Sequence, residues 1–262
     1  MKKMKQSINF VSSIILALAL NACSSDMDNS EDFGFDKILA TYQNVCPSET
    51  DAVMYSENVD ANGTFVIPDE TIRSMSTCGL LVTYLNNPVF LPETISNMYA
   101  PSVTIFNHRL REKKVAVELF TRGDFFPVLA SKYLSIIKVT EYDGHSLVSS
   151  NGQFNLQWLL ASDMCMSAMS EKEKIQLMAM ALERTKYAIG IENMYPCLIM
   201  IAIMKSCKYA PFMEDIEPRL GEVLCGYAMR EPDGTIPLHA LNSHERDIII
   251  KYAKQFLNEQ KI

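Results

Sequence analysis

The sequence predicts an all-α fold, an irregular array of antiparallel helix pairs that follows an irregular N-terminal segment. Apolar residues recur at the three- and four-residue spacing of helices over most of the chain. Glycine, proline and asparagine interrupt these runs, and helix-capping residues restart them, at intervals that suit helices of ordinary length. Short connections make sequential helices antiparallel, as in HEAT and tetratricopeptide proteins, although no fixed repeat period is readable.

Five helices are predicted in the first half of the helical region. Asp69 can cap a run that ends at Asn86. Gly123 is expected to end a long amphipathic helix as a left-handed cap, with Val117 facing inward, and Asp124 restarts the next helix. The predicted ranges are 35–42, 68–86, 91–98, 102–122 and 125–139.

Five more helices are predicted in the second half, after a chain break at Asn151-Gly152. Ser170 with Glu173, and Asn242 with Glu245, have the spacing of a capping box at the start of a helix. In a capping box the side chain of each residue accepts a hydrogen bond from the backbone N–H of the other. The predicted ranges are 154–166, 171–189, 195–209, 220–229 and 243–258.

One predicted helix is apolar on every side. Residues 195–204 carry no charge and no strongly polar side chain. Ten helical residues extend only about 15 Å, roughly half the hydrocarbon thickness of a bilayer. The segment is therefore predicted to be a buried central helix and not a membrane span.

Residues 1–22 have the features of a bacterial secretory signal. Three lysines stand among the first five residues, and an apolar run from Phe10 to Leu20 follows, too short for a membrane span. The next residues, Leu20-Asn21-Ala22-Cys23, resemble the lipobox of bacterial lipoproteins, in which the cysteine is acylated and becomes the first residue of the mature chain. An ordinary signal peptide cleaved elsewhere and an uncleaved anchor are the alternatives.

The lipobox resemblance implies that Cys23 carries palmitate or similar acyl chains and holds the protein on the outer membrane. Residues 24–32 are small, polar and acidic, which predicts an extended tether. This stretch is similar to the export signal of surface lipoproteins in some Gram-negative anaerobes, and a plain spacer on a periplasm-facing lipoprotein is the alternative. The predicted organisation is a signal peptide over 1–22, a lipidated acidic tether over 23–34 and a single helical domain over 35–262.

The charge balance argues against a nucleic-acid partner. The chain has 24 basic and 31 acidic residues, and residues 1–22 contain three of the lysines and none of the acids. Nucleic-acid binding needs a basic face that releases counterions from phosphates. The longest basic run, Arg109 to Lys114, is predicted to be the solvated side of a helix.

Six cysteines follow Cys23, and none forms a CxxC pair. They are too few for a disulfide-dense scaffold, so most are expected to be buried free thiols. If any bridge forms, Cys46 with Cys78 is the favoured pair, because it would fasten the irregular N-terminal segment to the first strong helix. Cys197 and Cys207 are ten residues apart on one predicted helix and cannot bridge.

No pattern in the sequence indicates a metal or a cofactor. His239 and His244 are five residues apart, whereas a zinc-binding helix needs ligands four apart on one face. His145 follows a glycine, but the second glycine of a nucleophile turn is absent and Val148 occupies its place. The single Trp158 is predicted to be buried in a helix, not to form a sugar-binding platform.

Part of the helical region resembles a family. Met75-Ser-Thr77, Leu80-Leu81-x-Thr83 and Glu118-Leu119-x-x-Arg122-x-Asp124 are similar to segments of uncharacterised all-helical secreted proteins of gut anaerobes. The likeness covers about a third of the chain through loose motifs. It implies an all-helical fold and no particular activity.

These observations favour a lipid-anchored envelope protein without catalysis of its own. Its partners are expected to be membrane lipid, through Cys23, and another envelope protein that binds the helical surface. One alternative is a hydrolase whose site assembles around His145 or around His239 and His244. A second is a lipoprotein that captures a small apolar ligand or a glycan in a methionine-lined groove.

Overall fold

The protein is all-α, as the sequence predicts. The computed structural model describes residues 33–47, 50–54, 66–86, 103–139, 147–188, 194–215 and 243–260. Of these residues 73% are helical and none lies in a β-strand. Backbone contacts gather Gly34–Ile262 into one compact unit, which contains every helix described below. Across the described ranges, the structure contains no helix whose length and apolar character would let it cross a bilayer.

The described helices differ widely in length, from six to 17 residues. They are numbered here in chain order. Their bounds are α1 Phe35–Tyr42, α2 Asp69–Ser74, α3 Thr77–Asn86, α4 Val103–Glu112, α5 Lys114–Leu119, α6 Phe125–Leu134, α7 Leu147–Leu160, α8 Asp163–Ala168, α9 Glu171–Arg184, α10 Met194–Ser206, α11 Ala210–Asp215 and α12 Ser243–Glu259.

The core of the C-terminal half is built around α10, which confirms the predicted central helix. It contacts α7, α8, α9, α11 and α12. Because these neighbours surround it, residues on every face are buried, including Cys197, Ile199, Met200 and Ile203, which have no exposed surface. Two edge-to-face ring pairs, Tyr209 with Phe256 and Phe212 with Tyr252, fix α12 and the start of α11 beside it.

The core of the N-terminal half is built around α3, which contacts α5, α6 and α7. Gly152 on α7 faces the end of α3, where a Cβ would lie 3.6 Å from the carbonyl oxygen of Leu85, an ordinary van der Waals distance. The side chain of Trp158 on α7 is 6% exposed and packs at a tilt on Phe106, as predicted for a buried tryptophan.

Three predicted helices are each divided in the structure by one or two residues. The run over 68–86 is broken at Met75, which is extended, and begins with Pro68, not Asp69, as its N-cap. The run over 102–122 is broken at Lys113, also extended. The run over 154–166 is broken before α8, where the side chain of Ser162 accepts a hydrogen bond from the N–H of Cys165.

Other predictions in these regions are wrong for local reasons. Gly123 is not a left-handed cap, since its φ is not positive. Among the described glycines only Gly34, which precedes α1, has a positive φ. Val117 is 40% exposed and does not face inward, because the break at Lys113 turns α5 away from the axis of α4. Asn151-Gly152 does not break the chain, since both residues lie inside α7.

Other helix boundaries agree with the sequence or differ by a few residues. Helix α1 has its predicted bounds, and α3 ends at the predicted Asn86. The capping box at Ser170 and Glu173 is present, with hydrogen bonds in both directions, and α9 ends five residues earlier than predicted. Helix α6 ends at Leu134, and turns occupy the rest of the range 125–139.

Residues 50–54 follow the outside of α3 and are held there by polar contacts. The carboxylate of Asp51 accepts hydrogen bonds from the N–H and the hydroxyl of Ser76, at 2.7 and 2.6 Å. Burial raises the pKa of Asp51, but these two bonds outweigh it and leave the pKa below its usual value. Farther along, the N–H of Val53 donates to the hydroxyl oxygen of Thr83 at 2.9 Å.

Replacing Gly79 should destabilise the protein only while Asp51 is present. A Cβ on Gly79 would lie 1.9 Å from the Asp51 carboxylate, so Gly79→Ala displaces that side chain from Ser76. We expect Gly79→Ala to lower the free energy of unfolding by about 1 kcal/mol, because lost hydrogen bonds exceed the helix propensity gained. In an Asp51→Ala background the same substitution should stabilise α3 instead. Urea denaturation of the four proteins checks this, and a Gly79→Ala effect of equal sign in both backgrounds contradicts it.

Several predictions fall outside the described residues. Among them are the signal peptide and most of the tether, including Cys23, together with the predicted helices over 91–98 and 220–229. His145, His239 and Asn242 also lie outside the described ranges.

Candidate functional site: the Arg111 surface

A first concavity lies between α2 and the end of α4 with α5. Its volume is about 360 Å³. Its lining is mainly charged, around the aliphatic side chains of Ile72 and Val117. The lining residues are Asp69, Ile72, Arg73, Arg111, Lys114, Val117 and Glu118.

Ion pairs fix the walls of this first concavity. The Nζ atom of Lys114 lies 2.6 Å from a carboxylate oxygen of Asp69, which joins α5 to α2. The hydrogen bond and charge of Lys114 hold the pKa of Asp69 below its usual value. The guanidinium of Arg122 pairs with Glu118 and donates to the backbone carbonyl of Arg73, both at 2.8 Å.

A second concavity, of about 470 Å³, lies between α8 and α10 on the other side of α4. Its floor is apolar and its rim is charged or polar. The lining residues are Arg111, Ala161, Asp163, Met166, Ser167, Leu198, Ile201, Ala202, Lys205 and Ser206.

Asn107 determines how α4 meets α8 at this second concavity. The side-chain oxygen of Asn107 accepts a hydrogen bond from the N–H of Asp163 at 3.0 Å, and Asn107 is 8% exposed. It thereby satisfies a free N–H in the first turn of α8. Arg111 lies four residues later, one helical turn farther along the same face of α4, at the edge of the concavity.

Arg111 lines both concavities and connects them. We call the residues that line the two concavities the Arg111 surface. In the described part of the chain, no carboxylate lies within 4 Å of the Arg111 guanidinium, and the adjacent Glu112 pairs with His108 and Arg109. Four basic and three acidic side chains line this surface, whereas the whole chain has a net charge of −7. The surface therefore offers a free guanidinium between two partly apolar depressions.

The described residues that were considered for catalysis do not converge. His244 is exposed in the first turn of α12, and His108 is exposed on α4 beside Glu112. Burial raises the pKa of Cys197 to about 12 and raises the pKa of Cys165 and Cys207, which keeps these thiols protonated and unreactive. Within the described ranges, no three His, Cys, Asp or Glu side chains are grouped as a metal would require.

The Arg111 surface was not predicted from the sequence, which indicated only that Arg109 to Lys114 is solvated. Arg111 is indeed exposed, but Lys113 is half-buried at the break between α4 and α5. The remaining lining residues come from segments up to 137 positions apart, Asp69 and Ser206 at the extremes. No local sequence pattern encodes such a surface.

Comparison with protein-family models, with curated proteins and with solved structures finds no match to the chain.

Proposed function

We propose that the chain is a lipoprotein of the bacterial outer membrane, anchored through acylated Cys23, whose helical body binds another envelope protein at the Arg111 surface. The segment bound there is acidic and carries at least one apolar side chain. The observation that carries the proposal is the guanidinium of Arg111, exposed between two depressions and without an ion pair among the described residues.

The chemistry of the surface supports an acidic peptide as the occupant. Leu198, Ile201 and Met166 are each less than 10% exposed and form a floor that can accept one apolar side chain. Arg111 at the rim can pair with a carboxylate beside it. Interfaces of this kind combine an apolar anchor with charged groups that select the partner.

The anchor and tether favour a partner in the envelope. Several acyl chains, each methylene contributing about 0.8 kcal/mol, would restrict the protein to the membrane surface. The tether of residues 24–32 would separate the body from the lipid and leave it accessible to partners in the envelope.

Reversing the charge of Arg111 should abolish partner binding. We expect Arg111→Glu to reduce capture of the partner at least about tenfold, because it places like charges together at the centre of the interface. Lys254→Glu is the matched control, since Lys254 is exposed on α12 and lines neither concavity. The measurement is the yield of crosslinked partner from intact cells carrying a photocrosslinking residue at Ser206.

A second step distinguishes a specific contact from adventitious capture. The crosslinked peptide should contain carboxylates, and an Asp→Arg or Glu→Arg change in it should restore binding to the Arg111→Glu variant. Equal yields from wild type and Arg111→Glu, or a captured peptide without acidic residues, would refute the proposal.

A further inference from the structure

We propose that Cys46 and Cys78 form a disulfide that fastens the segment after α1 to α3. Formation of this bond requires an oxidising compartment, and to that extent it rests on the proposed envelope location. Both residues are free thiols in the structure.

The backbone on the Cys46 side is anchored at three points. The N–H of Cys46 donates to the hydroxyl oxygen of Ser131 on α6, at 3.2 Å. Beyond it, Asp51 is bound to Ser76 and Val53 to Thr83, as described above. Residues 46–47 and 50–54 are thus held by contacts to α6, to Ser76 just before α3, and to Thr83 on α3.

Cys78 lies in the first turn of α3, two residues after the Ser76 that Asp51 binds. The side chains of Cys46 and Cys78 are close enough to form a hydrogen bond with each other. Cys46 is half-buried and Cys78 is 6% exposed. The two thiol groups are therefore neighbours in the reduced protein, which is the arrangement from which a disulfide forms.

The accessibility of the two thiols sets the order of the reaction. Burial, the contact with Cys46 and nearby carboxylates raise the pKa of Cys78 to about 12, so Cys78 is a poor initial nucleophile. Cys46, which is partly exposed, attacks the disulfide of an envelope dithiol oxidase first and forms a mixed disulfide, releasing one oxidase thiol. Cys78 then loses its proton and attacks Cys46, and the second oxidase thiol leaves. Two protein thiols are oxidised and one oxidase disulfide is reduced.

The bond would close a loop of 32 sequence positions at the point where the chain leaves α1. A loop of this size removes much conformational freedom from the unfolded chain. It would also transmit tension from the lipid anchor, which reaches the body at the start of α1, directly into α3.

Two parallel experiments test the bond on the full chain. In the first, protein extracted from cells is alkylated at once, digested without reductant and analysed by mass spectrometry. In the second, reduced purified protein is incubated with oxidised glutathione, which supplies the disulfide, and analysed in the same way. We expect linked Cys46 and Cys78 peptides, 2 Da lighter than the two thiol peptides together, in both experiments. Cys165, Cys197 and Cys207 should remain alkylatable thiols after unfolding.

A thermal measurement supports the assignment. Dithiothreitol should lower the Tm of wild type by roughly 5–10 °C, and should leave the Tm of Cys46→Ser unchanged. Cys207→Ser is the control, because Cys207 is also half-buried, and it should keep the wild-type response.

The two experiments distinguish failure of the disulfide proposal from failure of the proposed envelope location. Free thiols at Cys46 and Cys78 in both experiments overturn the disulfide and leave the envelope location standing. A bond that forms with glutathione but is absent in cells overturns the proposal that this disulfide is native, and counts against an oxidising location for the protein.

Discussion

Arg184→Met should lower the free energy of unfolding by about 3 kcal/mol, because it removes a buried hydrogen-bond donor that two backbone carbonyls share. Arg184 is 1% exposed at the end of α9, and its Nη1 atom donates to the backbone carbonyls of Ile137 and Val139, at 2.9 and 2.5 Å. These carbonyls belong to the turns after α6, so the guanidinium joins α9 to that connection. Methionine fills similar space but leaves both carbonyls without the donor.

The matched control for this substitution is Lys186→Met. Lys186 is exposed two residues later, and its Nζ atom lies 2.5 Å from a carboxylate oxygen of Glu183. An exposed ion pair of this kind contributes less than about 1 kcal/mol. Urea denaturation measures the stability of both variants. If Arg184→Met unfolds at the same urea concentration as Lys186→Met, the buried guanidinium does not stabilise the contact between α9 and the turns after α6.

Cys23→Ser should remove the protein's acyl chains and its stable attachment to the membrane. In cells fed an alkyne analogue of palmitate, we expect the wild type to carry the label and the Cys23→Ser variant to carry none, because serine offers no thiol to the acylating enzyme. Without acyl chains the residual apolar run of residues 10–20 cannot span a bilayer.

Cys207→Ser is the control for labelling. Cys207 is a free thiol in the body and is half-buried. The Cys207→Ser variant should label as strongly as wild type and should require detergent for extraction. Label that persists in Cys23→Ser but disappears in another cysteine variant would place the lipid elsewhere.

The three- and four-residue spacing of apolar residues was sufficient to predict the fold class and most helices, but not the points where helices break. At Met75 and Lys113 the backbone is extended, and the apolar pattern continues across the break. At Ser162 the break is stabilised by the Ser162 side chain and by the Asn107 side chain from α4. Tertiary partners of this kind cannot be seen in a local window.

Asn151-Gly152 illustrates the opposite error. Both residues favour turns in isolation, yet they lie inside α7, because the helix is held by the burial of Leu156, Leu159 and Leu160 in the core. The Arg111 surface was missed for a related reason. It forms only when α2, α4, α5, α8 and α10 come together, and the sequence identified one solvated basic run within it.

The most direct test of the central proposal is the identity of the mature N-terminus. Because no lysine or arginine lies between Lys5 and Lys37, trypsin should release residues 23–37 as one N-terminal peptide from protein extracted from membranes. The account predicts that this peptide begins at Cys23 and carries the mass of acyl chains on it. An unmodified peptide that spans residues 6–37, or one that begins at another position without lipid, would contradict the account.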